Sequence, residues 1–270
     1  MSDIKIYVIY SNQKPALDTN SVLEYLFSPH QNYSELWAQR EICNQHGRED
    51  EMVGFFHFRR YLDFSYKPIH EPAFNYKYLR PYKFAKWPNC SQYSEKYTHQ
   101  LEADFDILAP LPEWTGVCVR ERYQQYPNHR ISDLDEVTRI IKEITPDYFD
   151  YVQQYLKGEY EYYGNMYIMR RKLLHDYFDW LFLILRNFDN RVQDQLPRTP
   201  GYLAERLFGI WLLKQKSEGK LRIGYLPRIH FYGFDDSTHH FRRDCFISIF
   251  LPPATRRRFY VKKMKRFLTG

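Results

Sequence analysis

No stretch of the 270 residues approaches the roughly 20 consecutive apolar positions that a membrane-spanning helix needs. The longest mostly apolar run, 177–185, is interrupted by Asp179. Four cysteines (Cys43, Cys90, Cys118, Cys245) form no Cys-x-x-Cys pair, which argues against a zinc finger or a disulfide framework and for buried or half-buried free thiols. The chain also lacks Gly-x-x-x-x-Gly-Lys-Ser/Thr, Gly-x-Gly-x-x-Gly, His-Glu-x-x-His and Gly-x-Ser-x-Gly. Phosphate-loop, dinucleotide, zincin and hydrolase-elbow readings therefore have no signature to rest on. There is no internal repeat and no low-complexity segment. The first residues, MSDIKIYVIYSNQK, place an acid before a short apolar run and offer no small-residue cleavage site. They read as a first strand, not a leader, and point to a cytosolic-side protein.

What is abundant is aromatic: 19% of the residues, 25 of them tyrosine. Flat rings with a polar tip suit sugars, bases and lipid headgroups alike, so composition alone does not choose among them. Charge discriminates better. The net charge is +6, but residues 254–270 hold seven Lys and Arg and no acid, leaving the first 253 residues at about −1. A near-neutral body speaks against a nucleic-acid partner. The tail follows Pro252-Pro253, and Tyr260, Met264, Phe267 and Leu268 recur at helical spacing. The expectation is a body over 1–251 and a basic amphipathic helix over 252–270, its cationic stretch 254–270 lying on an anionic membrane surface. A solvated tail, or a helix docked on its own domain, is the competing reading.

Periodicity predicts strands over 4–10, 52–58, 105–109, 163–169 and 221–225, and helices over 33–46, 133–144 (capped by Ser132), 146–156, 173–188 and 202–214. Residues 64–100, rich in Pro, Tyr and Lys without a period, read as an irregular insertion. Strands alternating with helices argue an α/β fold with a mixed or mostly parallel sheet covered on both faces.

Three segments carry candidate chemistry. GFFHFRRYL (54–62) ends a buried strand in His57, Arg59 and Arg60. Cationic donors at the carboxyl end of a sheet are placed to clamp a diphosphate; alternatively they serve the fold as salt-bridge partners. Asp104-Phe105-Asp106 has the spacing of a carboxylate pair able to hold Mg²⁺ or Mn²⁺, although it precedes its apolar run. In the helix at 202–214, Leu203, Leu207, Ile210 and Trp211 form the expected buried stripe, leaving Glu205 and Arg206 on another face. Glu205 is a candidate general base, or half of a structural pair with Arg206. His129, followed one turn later by Asp133, adds an imidazole and a carboxylate near a helix start.

The segments YSELWAQREI (33–42), VGFFHFRRYL (53–62), DFDILAP (104–110), YPNHRISDLDEV (126–137), YYGNMYIMRRKLLHDYFDWLFLIL (162–185) and PRTPGYLAERLFGIWLL (197–213) occur in this order. Together they resemble bacterial glycosyltransferases of capsular-polysaccharide and lipopolysaccharide synthesis long described as a domain of unknown function, some relatives being galactofuranosyltransferases. Phe58 and Tyr167 stand where relatives often carry Tyr and Phe. The resemblance implies a GT-A-like, Rossmann-type mixed sheet flanked by helices. It implies a UDP-sugar donor with no tightly bound cofactor, a divalent metal being left open, and a lipid-linked or oligosaccharide acceptor. The expected location is the bacterial cytoplasm, peripheral on the inner membrane, with no nucleic-acid partner. Glu205 and Asp106 are the expected catalytic residues. His57, Arg59, Arg60, Asn165 and position 8 of the opening strand (Val8, beside Tyr7) are the expected donor contacts. His129, Asp133, Arg206 and Glu35 are expected to contact the acceptor or line the site. The alternative is a non-catalytic module that binds anionic glycans or lipid headgroups at the membrane surface.

Overall fold

The first strand, β1 (Ile4–Tyr10), serves both faces of the protein. Ile4, Ile6 and Val8 enter one core while Tyr7 and Ile9 enter another, the alternation that a pleated strand imposes. The computed structural model describes residues 4–11, 20–29, 32–70, 82–85, 90–231, 238–252 and 255–269. β1 pairs in parallel with β2 (Leu23–Phe27). Helix α1 (Glu35–Cys43) then leads to β3 (Met52–His57), parallel to β1 on its other side. β3 is buried at every position except His57, as its unbroken apolar run requires. Phe58 and Arg59 turn the chain back into β4 (Arg60–Leu62).

Within 64–100, residues 64–70 are irregular apart from an isolated bridge between Ile69 and Tyr225. The other described residues include β5 (Tyr82–Ala85), a 3-10 turn at Cys90–Tyr93 and the start of α2 (Glu95–Asp104). Residues 71–81 and 86–89 of that segment lie outside the described residues. β6 (Ile107–Pro110), the short β7 (Glu113–Trp114) and α3 (Val119–Gln124) follow. Next come α4 (Ile131–Ile144), which starts after Arg130 and not Ser132, and α5 (Phe149–Lys157). β8 (Tyr160–Glu161) pairs with β7 as a separate ribbon. The strand expected over 163–169 shortens to β9 (Tyr167–Arg170), because Gly164 (φ 93°) and Asn165 (φ 46°) adopt left-handed conformations that no strand admits. The long helices α6 (Arg171–Arg191) and α7 (Thr199–Glu218), the strands β10 (Ile223–Leu226) and β11 (Arg228–Phe231), and helices α8 (Thr238–Phe250) and α9 (Arg256–Thr269) complete the chain.

Among the described residues the sheet runs β2-β1-β3-β9-β6-β10, and β4, β11 and β5 extend it beyond the carboxyl end of β3. β1, β2, β3, β6 and β10 all point one way and β9 opposes them. One face carries α1, α4, α5, α6 and α7 around a core that includes Phe55, Tyr167, Tyr177 and Trp211. The other carries Tyr61, Phe64, Tyr93, Leu101 and Phe105 from β4, the 3-10 turn and α2. The structure is thus the expected mixed α/β sandwich with helices on both faces. Of the cysteines whose side chains are described, Cys43 is buried and Cys118 and Cys245 are half-buried, all three as free thiols.

Candidate active site

β1, β2 and β3 end side by side at Tyr10, Phe27 and His57, and a cleft of about 850 Å³ opens there. Parallel strands bring their carboxyl ends together, and crevices at those ends are where open α/β sheets take ligands. The cleft lining includes Tyr10, Ser28, Ser34 and Glu35 together with His57, Arg59, Arg60 and Arg198. Burial, together with Arg60, Arg198 and Arg59, pushes the His57 pKa down to about 3. The imidazole is therefore neutral, its Nδ1 facing the Arg59 backbone N–H at 3.5 Å, and the three guanidiniums make the cleft electropositive. Arg198 donates from Nε to the Ser34 hydroxyl at 3.2 Å, and its Nη2 lies 3.9 Å from Glu35. Among the described residues Arg60 forms no ion pair.

Backbone strain gathers at the same place. The non-glycine residues with positive φ among those described are Ser34 (46°), Asn165 (46°) and Arg198 (67°). Each costs on the order of 1–3 kcal/mol unless its surroundings hold it. Ser34 and Arg198 line the cleft. Asn165 donates from Nδ2 to Glu35 at 2.9 Å and to the Gly201 carbonyl at 3.1 Å, while its own carbonyl accepts from Gln39 at 2.8 Å. Expected as a donor contact, Asn165 is instead a buried brace that joins α1 to α7 and fixes Glu35.

Glu205 stands behind Arg60 rather than on the cleft wall. Its Oε1 accepts from the Gly164 backbone N–H at 2.6 Å and its Oε2 from Arg206 at 2.9 Å. Arg60 reaches the same glycine, 3.7 Å from where a side chain would begin. Burial raises the Glu205 pKa against the opposing pull of Arg206. Arg206, expected on a face other than the buried stripe, is itself buried: α7 packs on nearly every side, and its guanidinium meets Glu161 and lies over the rings of Tyr123 and Tyr163 at 5.0 and 5.8 Å. Beside it, buried Arg228 ion-pairs with Glu113 and donates to the Tyr163 carbonyl at 3.2 Å. Sequence reasoning missed Arg198, Glu161, Glu113 and Arg228. Arg198 alone had a signal, the PRTPGYLAERL segment.

Several expected residues fall elsewhere. Val8 is fully buried on the β1 face that turns away from the cleft; Ile9 and Tyr10 supply the wall instead. Asp106 sits at the opposite end of the sheet. Its backbone carbonyl accepts from Arg170, which pairs with Met52 at the start of β3. That is five residues from His57, about 17 Å along a strand. Burial raises its pKa, but hydrogen bonds from the Arg222 side chain and backbone outweigh this and hold it low. Asp104 is exposed at the end of α2. The pair therefore does not fit a cation site at the cleft, and no cluster of three or more His, Cys, Asp or Glu suited to a metal occurs among the described residues. Asp133 is 2% exposed and held by Arg130 at 3.2 Å, a structural pair. His129 lies among the rings of Tyr123, Tyr126 and Tyr202, at 4.3, 4.9 and 4.3 Å. Burial and Arg206 bring its pKa down to about 4. Arg198 over Tyr202, at 5.7 Å, connects this aromatic strip to the cleft.

The domain family described as "Domain of unknown function (DUF4422)" matches residues 27–216. Among solved structures, the bifunctional glycosyltransferase WbbM in its apo form superposes with a TM-score of 0.69 at 22% identity, over 87% of this chain. The chain spans 47% of the length of that protein. No curated protein matches. The likeness to WbbM is one of fold: a central mixed sheet flanked by helices.

Proposed function

We propose that this chain, which belongs to the DUF4422 family, transfers a hexosyl group from a nucleoside-diphosphate sugar to an acceptor hydroxyl of a bacterial surface glycan. UDP-sugars, UDP-galactofuranose among them, are the donors to try first. One observation carries the reading: three guanidiniums and a neutral imidazole converge on a large cleft at the carboxyl ends of three parallel strands. Arg59, Arg60 and Arg198 meet the diphosphate with charge-assisted hydrogen bonds. As the anomeric carbon–oxygen bond breaks, negative charge grows on the departing diphosphate, and preorganised cations in a shielded site stabilise it. Tyr10 and Phe27 offer flat faces to the nucleoside. The acceptor hydroxyl approaches past Tyr202 and His129, and Glu205, whose side chain keeps 14% exposure beside Arg60, takes its proton as the new bond to the anomeric carbon forms. Two of the roughly four lone-pair positions of the Glu205 carboxylate are used, by Gly164 and Arg206, which leaves it capacity to accept. Arg206 is shared with Glu161, so Glu205 is only partly neutralised.

The test is a panel of UDP-sugars incubated with the full chain and oligosaccharide acceptors, scored by release of UDP. Acceptor-dependent release with one donor supports the reading. Tight UDP binding without turnover across the panel would replace it with a binding module.

A further inference from the structure

Helices α8 and α9 leave large apolar side chains in solvent. On α8, Phe246, Ile249 and Phe250 are 64%, 58% and 65% exposed and share one face, the two phenylalanine rings 5.6 Å apart. On α9, Tyr260, Val261 and Met264 are 56%, 46% and 64% exposed. The helices are joined: Arg258 of α9 donates to the Ser248 hydroxyl at 3.2 Å and to the Leu251 carbonyl at 3.4 Å. α9 is also fixed to the body by its first turns. Phe259 packs edge-on against Trp114 at 5.1 Å, Arg256 lies over the same indole at 5.2 Å, and Phe259 fills the space beside Gly116. The exposed face is therefore what remains after the helix has docked. Large apolar side chains clustered in solvent on two joined helices mark an interaction surface.

We propose that α8 and α9 together form one membrane-docking surface, whose partner is an anionic phospholipid bilayer. Charge selects this partner. Residues 254–270 carry seven Lys and Arg and no acid, so a second copy of the chain would set like charge against like across a self-complementary interface. A nucleic acid would use the cations but leave the apolar faces in water. An anionic bilayer takes both, with apolar side chains entering below the headgroups and cations meeting phosphates. The sequence indicated only 254–270; the structure adds the apolar face of α8. It also ties the surface to the body of the fold. β7 carries Trp114 under α9 and Glu113 on Arg228. The surface itself stands on these contacts and does not depend on the glycosyl-transfer reading.

The test is flotation of the full chain with vesicles of phosphatidylethanolamine and phosphatidylglycerol, beside vesicles of phosphatidylcholine alone. Wild type should float with the anionic vesicles only and be released by salt. The triple variant Phe246→Ser/Ile249→Ser/Phe250→Ser and the double variant Val261→Ser/Met264→Ser should each weaken binding about tenfold or more. Both change exposed residues and should unfold at the wild-type temperature. As a second measurement, brominated acyl chains should quench a fluorophore placed at position 249. Loss of flotation in the α9 variant alone, with no quenching at position 249, would remove α8 from the surface. Equal binding to neutral vesicles, salt-insensitive binding, or a stable dimer that the α8 variant dissolves would overturn the proposal.

Discussion

Arg206 and Glu161 meet at 2.5 Å in a place where their side chains are 1% and 0% exposed. Two charges so far from water are sustained only by each other and by their remaining partners. For Arg206 these are Glu205 and the Tyr202 carbonyl, and for Glu161 the Tyr163 hydroxyl. Breaking such a pair strands a buried charge, at a cost of about 3–5 kcal/mol. Glu161→Ala should therefore lower stability by roughly that amount, read from urea unfolding at neutral pH. An effect below about 1 kcal/mol would mean that water reaches the pair.

The diphosphate assignment predicts a shared loss. Arg59→Ala, Arg60→Ala and Arg198→Ala should each weaken UDP binding by roughly 10- to 150-fold, the weight of a charge-assisted hydrogen bond. Calorimetric titration with UDP is the check, and melting temperatures should stay near wild type. Unchanged affinity in all three would remove the nucleotide from this cleft.

Glu205→Gln keeps shape and hydrogen bonding but loses the basic oxygen. In an inverting transfer kcat should fall about 100-fold or more, with donor affinity little changed. Because burial raises the Glu205 pKa, the wild-type rate should decline with acid at a pH above the ordinary glutamate range. Glu35→Gln is the comparison, since Glu35 lines the cleft directly. A large fall in kcat there, with Glu205→Gln near normal, would transfer the base role to Glu35.

Half-buried histidines, His57 and His129 among them and His230 shifted in the same direction, predict how stability depends on acid. His57 and His129 are held neutral, with pKa values down to about 3 and about 4 against 6.5 for the free side chain. Between those limits the unfolded chain binds more protons than the folded one, so stability falls as pH drops from about 6.5 toward 4. His129→Phe, which keeps a ring among Tyr123, Tyr126 and Tyr202, should flatten that slope. Denaturant midpoints at pH 7 and pH 5 are the measurement; equal slopes for variant and wild type would count against it.

Gly116 combines a φ of 80° with a neighbour, Phe259, lying 2.6 Å from where a β-carbon would sit. Gly116→Val should strain the turn and displace the first turns of α9. Faster amide exchange over 255–261, with the sheet still protected, is the expected result.

The local chain determined a good part of this protein by itself. Alternation in β1, the unbroken apolar run of β3 and the helical spacing in α4, α6 and α7 are short-range patterns, legible because burial of a strand or helix face repeats every two or 3.6 residues. The same logic located His57, Arg59 and Arg60 at a strand end, and the amphipathic character of the tail. Tertiary structure alone decided which charges meet. Asp106 and Arg222 are separated by 116 residues, Asn165 and Glu35 by 130, and spacing carries no information about such pairs. Placement of β5 against β11, burial of Arg206 on an all-round packed α7, and the meeting of Ser34 and Arg198 at one cleft have the same origin. A side chain's charge is written in the sequence, whereas its partner and its distance from water follow from packing between elements far apart along the chain.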